Sequence, residues 1–572
     1  MSGRRLILID HPHVVFNTLT FGTAVLATSS ASLIPAVLHL STLLVYSPLL
    51  VNCPDAGKQA SLLWINLSVA KFIVLLAPAI HALSSPVSSL ALLFLGGLIT
   101  SAITLATLYI HTKLRSRLPP AWSQIMLFPA LWAAVWWGVS SVSPIGRLTA
   151  WAPVVDTMGY SWMLKWAGPV MDDWIAAAWA VVISEIAGAW LMSSKSLGEE
   201  EPLLGNRGPN SEDEAAAPSM PSWRCVVCLT TFLATLTIPS FIISDVALPV
   251  YSSDTTPFSV GCILPKQRSR QLRFEDYLQE TRKLDGKAQV LLWPEGAVTF
   301  RDESERAAAL AEVQETIRGS HVGVSFEESV SDPSDVTGRS LLRRNGMVVV
   351  SNKSSSPHLE YYKRHLVPVA ESFSLVHSTT PATIYTMDMK SPSDVGKPDW
   401  APPPEFTRPV PMTASICLDF AIPGTLAALD TRPAIILAPA RTWEPTVGLA
   451  MWEQAKRRAA ELDSTILWCD GGHGGVSGVS GRGITEVTQV GEGSWVRSVG
   501  VEYPFNSGRT VYGVMGDYGA MAFIGIVFVG GFTTVIPWPD LGNLRVDWVK
   551  ERFAHFREMV RGRKETPNLV DL

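Results

Sequence analysis

Apolar residues form long uninterrupted stretches in the first part of the chain, where charged residues are rare. Seven stretches precede residue 245 and an eighth lies near the C-terminus, at 14–30, 32–52, 61–83, 87–111, 122–141, 173–193, 224–244 and 515–537. A helix needs about 20 mainly apolar residues to cross a bilayer, and most stretches approach that length. The pattern predicts an N-terminal membrane domain of about seven helices over 1–244 and a C-terminal transmembrane helix over 515–537. One helix plus a re-entrant segment is the alternative for the short first two stretches.

Basic residues flank these stretches in a way that predicts their orientation. Arg4 and Arg5 precede the first stretch, Lys113, Arg115 and Arg117 follow the fourth, and the tail after the eighth is basic. With eight spans all three segments fall on one side, as the positive-inside tendency requires. No A-x-A-like cleavage site follows the first stretch, which therefore reads as an anchor. The sequence predicts a multi-pass membrane protein whose segment 245–514 lies on the non-cytosolic side.

Two polar segments are predicted to lie in the cytosol. The linker 195–223 is acidic and rich in Gly, Pro and Ser, which is typical of disorder. Within it, Glu199 with Leu203 and Leu204 fits either an acidic dileucine sorting signal or a chance match. The tail 538–572 places apolar residues at helical spacing among Lys and Arg, which predicts a basic amphipathic helix on the membrane face. Packing of that helix against the spans is the alternative.

Residues 245–514 have a different pattern, with short β-rich runs separated by helical segments. The runs are AQVLLW (288–293), GMVVVSNK (346–353), MTASIC (412–417), AIILAPA (434–440) and STILWC (464–469). Runs that are apolar on both faces indicate buried strands, and their alternation with helices such as 451–463 indicates α/β layers. Roughly 270 residues suffice for one full core. We therefore predict an extramembrane α/β domain.

Composition narrows the classes of function. Charged residues make up 17% of the chain, and the formal net charge of −5 gives no reason to expect a nucleic-acid partner. Six cysteines are too few for a disulfide scaffold. Cys225 and Cys228 lack a second ligand pair, so zinc is not expected there, and they are either ordinary apolar residues or acylated juxtamembrane thiols. No cofactor is expected. Cys262 and Cys469 share a compartment with Cys417, and a disulfide between the first two would leave Cys417 free.

One sequon bears on the compartment. Asn352 begins the triplet Asn-Lys-Ser, which is a glycosylation acceptor only in a secretory lumen. Together with the dileucine pattern, this candidate glycoprotein site hints at a eukaryotic endomembrane or vacuole.

Three residues near strand ends suggest chemistry. Glu295 follows the run ending at Trp293, Lys363 lies in YYKRHLVPVAE, and Cys417 closes MTASIC. Taken singly, they fit a solvated loop carboxylate, a surface charge and an inert core thiol. Together, a carboxylate base, an ammonium group and a thiol form the minimum set for acyl transfer through a thioester.

The segments around these residues resemble the carbon–nitrogen hydrolase (nitrilase) superfamily, and within it bacterial apolipoprotein N-acyltransferase. WPEGA (293–297) is similar to the segment around the family's general base, and ICLDF (416–420) to the segment around its nucleophile. YYKRHLVPVAE (361–371) is similar to the segment that carries the catalytic lysine and a supporting glutamate. The resemblance implies an αββα sandwich with catalytic Glu295, Lys363 and Cys417.

The resemblance also assigns supporting residues and extends into the membrane segments FPALWAAVWW (128–137) and 159–178. It implies that Glu371 supports Lys363. Leu418 and Asp419 follow the nucleophile, where the family has Tyr and Glu, and Val135 replaces a membrane Glu. Eight spans, with the catalytic domain between the seventh and the eighth, are the family's layout.

These observations predict a membrane-bound N-acyltransferase. Cys417, activated by Glu295, takes an acyl group from a lipid such as a phospholipid and passes it to an amine or peptide. Lys363 and the Leu418 amide are expected to stabilise the oxyanion. The first alternative is a membrane-bound amidase, or carbon–nitrogen hydrolase, that uses water. The second is a catalytically inactive membrane scaffold.

Overall fold

The computed structural model describes most of the chain between residues 11 and 530. The described ranges are 11–118, 120–151, 153–193, 223–243, 246–266, 272–331, 341–352, 354, 356–393 and 395–530. The predicted linker, apart from Trp223, and the predicted tail lie outside these ranges. The dileucine signal and the amphipathic helix therefore stay predictions.

The described residues of the N-terminal part are mainly helical. Its helices are α1 (Pro12–Ser30), α2 (Leu33–Asn52), α3 (Ala56–Ala79), α4 (Pro86–Arg115), α5 (Ala121–Val142), α6 (Leu164–Ser193), α7 (Trp223–Thr235) and α8 (Ile238–Ile242). Two one-turn helices, Gly146–Thr149 and Met158–Met163, lie between α5 and α6.

The C-terminal part alternates strands and helices before one last helix. Its helices are α9 (Phe274–Leu284), α10 (Glu303–Thr316), α11 (Lys397–Trp400), α12 (Pro445–Leu462) and α13 (Val511–Gly530). Its strands are β1 (Thr255–Cys262), β2 (Val290–Leu292), β3 (Val298–Phe300), β4 (His321–Ser331), β5 (Leu341–Val350), β6 (Leu359–Tyr362), β7 (Tyr385–Lys390), β8 (Thr407–Ala414), β9 (Ile435–Ala440), β10 (Thr465–Asp470), β11 (Val476–Gly481), β12 (Ile484–Val490) and β13 (Trp495–Glu502).

Seven helical segments among the described residues are long and apolar enough to cross a membrane. They are Leu33–Asn52, Ala56–Ala79, Pro86–Arg115, Ala121–Val142, Met158–Leu191, Trp223–Ile242 and Val511–Gly530. This agrees with a multi-pass membrane protein. The last segment begins four residues before the predicted 515–537, whose end lies outside the described residues.

Helix α1 accounts for the difference between the eight predicted spans and these seven. It is a separate helix of 19 residues, but it is not among the segments apolar enough to cross, so the span and the re-entrant segment both stay predictions. Its polar side chains contact its neighbours: His13 Nδ1 lies 2.8 Å from the Tyr46 hydroxyl, and Thr23 Oγ1 lies 3.1 Å from His39 Nδ1. These contacts bind α1 to α2.

One end of the helical domain contacts the C-terminal domain. Trp443 donates its indole N–H to the carbonyl of Pro78 near the end of α3, at 3.0 Å, and Arg457 donates to the carbonyl of Val154. At the other ends of α4 and α6, Arg115 pairs with Glu185 at 2.6 Å. Glu185 thus has a basic partner. Which end faces the cytosol stays a prediction.

The C-terminal domain contains two mixed sheets. The first has the order β13-β1-β2-β4-β5-β6, with β3 paired to β4, and the second has the order β12-β11-β10-β9-β8-β7. Strands β1, β2 and β4 are parallel in the first sheet, as are β8, β9 and β10 in the second. The outer strands are antiparallel.

The two sheets pack face to face with helices outside them. Leu292 and Val349 of the first sheet share a core with Met412 and Leu437 of the second. Their sequence neighbours Leu291 and Val348 point to the opposite face, where they pack with residues of α9 and α10. Helix α12 packs against the second sheet through side chains such as Trp452. The predicted αββα sandwich is confirmed.

A disulfide joins the two sheets. Cys262 at the end of β1 bonds to Cys469 in β10, across 207 residues of chain, and Cys417 is free. Such a cross-link typically stabilises a fold by about 2–4 kcal/mol. Disulfides persist in oxidising compartments, which agrees with the predicted non-cytosolic position of this domain.

Candidate active site

The strand order brings two of the predicted residues to the same end of the first sheet, where β2 and β6 both finish. Strand β6 is antiparallel to β5, which is antiparallel to β4, so β6 runs in the direction of β2 and β4. Lys363 follows β6 directly, and Glu295 comes three residues after β2. Functional groups in α/β folds collect at the carboxyl ends of such parallel strands. The predicted base and ammonium therefore meet although 68 residues separate them.

A buried chain of charges runs through the site. Lys363 Nζ donates to Glu295 Oε1 at 2.7 Å and to Glu371 Oε1 at 2.8 Å. Glu371 Oε2 accepts the Val367 backbone N–H at 2.8 Å, which fixes the loop after Lys363. The Lys363 side chain is wholly buried and that of Glu295 nearly so. Burial makes these contacts strong and holds the side chains of Lys363 and Glu295 in place.

Cys417 lies in a different local structure from the one expected. Strand β8 ends at Ala414, and Cys417 begins a one-turn helix, Cys417–Ala421, so its prediction as a strand-terminal residue is wrong by three residues. Its backbone φ of 45° lies in the left-handed region, which residues other than glycine rarely occupy. Such strain persists where the surroundings dictate the conformation, and it is frequent at catalytic residues.

The Cys417 thiol reaches the chain of charges. It lies close enough to Glu295, Lys363 and Glu371 for their charges to act on its pKa, which Glu295 and Glu371 raise and Lys363 lowers. The structure thus brings together all three residues that the sequence predicts as catalytic. They come from both sheets, and their convergence depends on how the sheets pack.

Burial and charge set the protonation of the three groups. Burial raises the pKa of Glu295 above its ordinary value, although Lys363 opposes the shift. Burial and the charge of Glu295 raise the pKa of the Cys417 thiol well above its ordinary value. Burial by itself would lower the pKa of Lys363, but the charges of Glu295, Cys417 and Glu371 together outweigh burial and raise it. The resting Cys417 is therefore a thiol and the resting Lys363 an ammonium group, so the thiol needs a base.

The supporting residues that follow Cys417 have distinct environments. Asp419 is fully buried and accepts the Tyr361 hydroxyl on Oδ2, and the His365 backbone N–H on Oδ1, each at 2.8 Å. His365 Nδ1 also lies 2.8 Å from Asp419 Oδ1. Leu418 is buried, and its backbone N–H follows the thiol directly in the chain. Asp419 thus ties the Cys417 turn to the segment that carries Lys363.

Several residues of the site were not predicted from the sequence. Asn345 in β5 donates to Glu295 Oε1 at 2.8 Å, Tyr361 and His365 make the contacts given above, and Arg441 lines a cavity beside Glu295. His365 and Tyr361 lie within the motif that was matched, so their position was a usable signal. No sequence signal marks Asn345 or Arg441, because they reach the site only through the pairing of β5 and the position where β9 ends.

A cavity of about 730 Å³ opens beside Glu295. Its wall includes Glu295, Gly296 and Arg441 together with residues of α9 and α10, and Cys417 is not part of that wall. Among the described residues, no group of three or more His, Cys, Asp or Glu side chains could hold a metal ion. The polar cavity gives solvent or a soluble substrate access to the carboxylate.

We expect the pH dependence of catalysis to report Glu295. At low pH the protonated carboxyl cannot accept the thiol proton, so kcat/KM should fall on the acid side, at a pH above the ordinary pKa of glutamate. The hydrogen bond from Asn345 favours the ionised carboxylate, so Asn345→Leu should raise that pKa and move the acid limb to higher pH. A profile of kcat/KM against pH for both proteins measures the shift, and superimposable acid limbs would contradict it.

The candidate glycosylation residue Asn352 lies just beyond β5. It is exposed, and its side-chain nitrogen donates to the carbonyl of Arg318 at 2.9 Å. Its position on the extramembrane domain makes it accessible, while its modification stays a prediction.

The chain was compared with known proteins. No protein-family model matches the sequence. Among solved structures, it is similar to NitN amidase from Nesterenkonia sp. AN1, with 15% identity over 46% of this chain and 95% of that one, at a TM-score of 0.29. It is also similar to Saccharomyces cerevisiae Nit3, a member of branch 10 of the nitrilase superfamily, with 14% identity, coverage of 45% and 94%, and a TM-score of 0.30. A carbon–nitrogen hydrolase from Helicobacter pylori G27 matches at 12% identity, with coverage of 52% and 98% and a TM-score of 0.30.

These neighbours are members of the nitrilase, or carbon–nitrogen hydrolase, superfamily. At such identities and TM-scores the similarity says nothing about the reaction of this chain. The more specific resemblance to apolipoprotein N-acyltransferase stays a prediction.

Proposed function

We propose that this protein is a membrane-bound acyltransferase that forms a thioester on Cys417 and passes the acyl group to an amine. The observation that carries the proposal is the convergence of a thiol, a buried carboxylate and a buried ammonium group. Lys363 links Glu295 and Glu371 at 2.7 and 2.8 Å, and the thiol lies close enough for the charges of Glu295 and Lys363 to act on its pKa.

In the first half-reaction, Glu295 accepts the thiol proton while sulfur attacks the ester carbonyl of a phospholipid. Lys363 and the Leu418 backbone N–H stabilise the negative oxygen of the tetrahedral intermediate. The intermediate collapses by breaking the ester bond, and the lysophospholipid oxygen leaves with the proton from Glu295. The product is a thioester, and every proton is accounted for.

In the second half-reaction, an amine attacks the thioester and Glu295 removes its proton. Collapse releases the amide, and the leaving thiolate recovers the proton from Glu295.

The contact between the helical domain and the Cys417 turn favours a lipid donor, because Gly146 lies against the carbonyl of Ala421.

A water-using amidase is the second candidate. The cavity beside Glu295 favours it, because a polar opening at the base would let water attack the thioester. The two candidates share the first half-reaction and differ only in the group that resolves the thioester.

One experiment separates these possibilities. The purified full-length protein is incubated with a phospholipid carrying a labelled acyl chain, and its intact mass is measured before and after an amine is added. We expect a mass increase of one acyl chain, its loss on adding amine, and a labelled amide. Cys417→Ala should show no adduct. Free fatty acid as the only product would favour the amidase, and no adduct on the wild-type protein would contradict both.

A further inference from the structure

A buried arginine of α12 holds the turn that carries the thiol. Arg458 Nε donates to the carbonyl of Phe420 at 3.1 Å, three residues after Cys417. Arg458 Nη1 donates to Glu461 Oε2 at 2.6 Å, and both side chains are almost completely buried. A buried carbonyl that accepts from a fixed guanidinium has little freedom to move.

The other contacts of this turn lie at its beginning and middle. Asp419 accepts the Ile416 backbone N–H at 3.2 Å and the Tyr361 hydroxyl at 2.8 Å. Arg458 therefore anchors the end of the turn, while Asp419 anchors its start. Because Cys417 has a strained backbone, both anchors oppose its relaxation to an ordinary conformation.

The arginine also belongs to the contact between the two domains. Glu461 accepts the Thr510 hydroxyl at its backbone carbonyl, at 2.6 Å, just before α13. A cavity of about 390 Å³ borders Arg458, Glu461 and Asp517 on one side and Trp137 of α5 on another. The anchor of the thiol turn is thus built against two helices long and apolar enough to cross a membrane.

We infer that Arg458 is a positioning residue for the thioester chemistry, acting through its hydrogen bond to the Phe420 carbonyl. By holding the end of the turn, it keeps the Cys417 thiol at Glu295 and the Leu418 N–H in line with the oxyanion. The inference rests on the proposed function, because it requires Cys417 to carry the acyl group.

The test must separate positioning from simple stability. Arg458→Met removes the donor but leaves Glu461 buried without its partner, which should also destabilise the fold. The double variant Arg458→Met with Glu461→Met removes both charges, so its thermal midpoint should return towards that of the wild-type protein. A displacement of about 1 Å at a reacting group can cost about 10²-fold in rate. We expect single-turnover acylation of Cys417 by labelled phospholipid to stay about 10²-fold slow in the double variant, with KM little changed.

The neighbouring pair provides a matched control. Arg457 is equally buried and pairs with Asp172 of α6, but its hydrogen bonds go to Asp172 and Val154 and not to the Cys417 turn. Arg457→Met with Asp172→Leu should acylate within about twofold of the wild-type rate. If the Arg458 pair recovers both stability and rate, or if the Arg457 pair slows acylation equally, the inference is wrong. Failure of the wild-type protein to acylate would instead overturn the proposed function.

Discussion

Replacing Glu295 by Gln should slow thioester formation by about 10²–10⁴-fold, the range that a positioned general base contributes. The amide keeps the size of the carboxylate and can still accept from Asn345, but it cannot take the proton of a thiol whose pKa burial has raised. The rate of acyl-adduct formation, followed by intact mass, measures the effect. The acid limb of the pH profile should also disappear, because its titrating group is gone.

Glu328→Gln is the matched control for this substitution. Glu328 lies in β4 of the same sheet, is equally buried and pairs with Arg306 and Arg344 instead of Lys363. The control should lose stability but keep the acylation rate within a few-fold. A Glu295→Gln protein that acylates at the wild-type rate would remove Glu295 from the mechanism.

Replacing Lys363 by Met should impair both catalysis and folding. Loss of one donor to the oxyanion costs about 10²–10³-fold in rate. The change also leaves two carboxylates, Glu295 and Glu371, beside each other without their shared cation. Breaking a buried ion pair in this way costs about 3–5 kcal/mol of the free energy of unfolding. Single-turnover acylation and thermal unfolding measure the two effects.

The variant Lys363→Arg separates the effect on catalysis from the effect on stability. The guanidinium keeps the charge and should retain much of the stability, but it is larger and planar and does not match the position of an ammonium group. We expect the rate to stay at least about tenfold low while the thermal midpoint recovers. If the folded Lys363→Met protein were acylated at the wild-type rate, the lysine would only stabilise the fold.

Much of the architecture follows from local patterns. Seven of the apolar stretches coincide, wholly or in part, with segments able to cross a membrane, because lipid requires long runs that the sequence shows directly. The αββα layers agree with runs such as 434–440, which are apolar on both faces. The remaining stretch, 14–30, corresponds to α1, which is long enough to be a candidate span but less apolar than the other seven segments.

The candidate site was predictable in part, for a different reason. Glu295, Lys363 and Cys417 were identified from motifs, and the structure brings them together: Lys363 contacts Glu295, and the charges of both act on the Cys417 thiol. Asn345, Arg441 and Arg458 were missed because their importance comes from the strand register and from the packing of α12. No spacing along the chain encodes those contacts.

By itself, the sequence determined which segments are apolar enough for a membrane, which runs form buried strands and which three residues could perform thioester chemistry. These properties depend on the hydrophobicity and chemistry of neighbouring residues, which the linear order contains. Only the tertiary structure decided that the thiol faces Glu295, that Cys262 bonds to Cys469, and that Arg458 holds the Cys417 turn. Each of those contacts joins residues far apart in the chain, so it exists only once the two sheets and the helical domain have packed together.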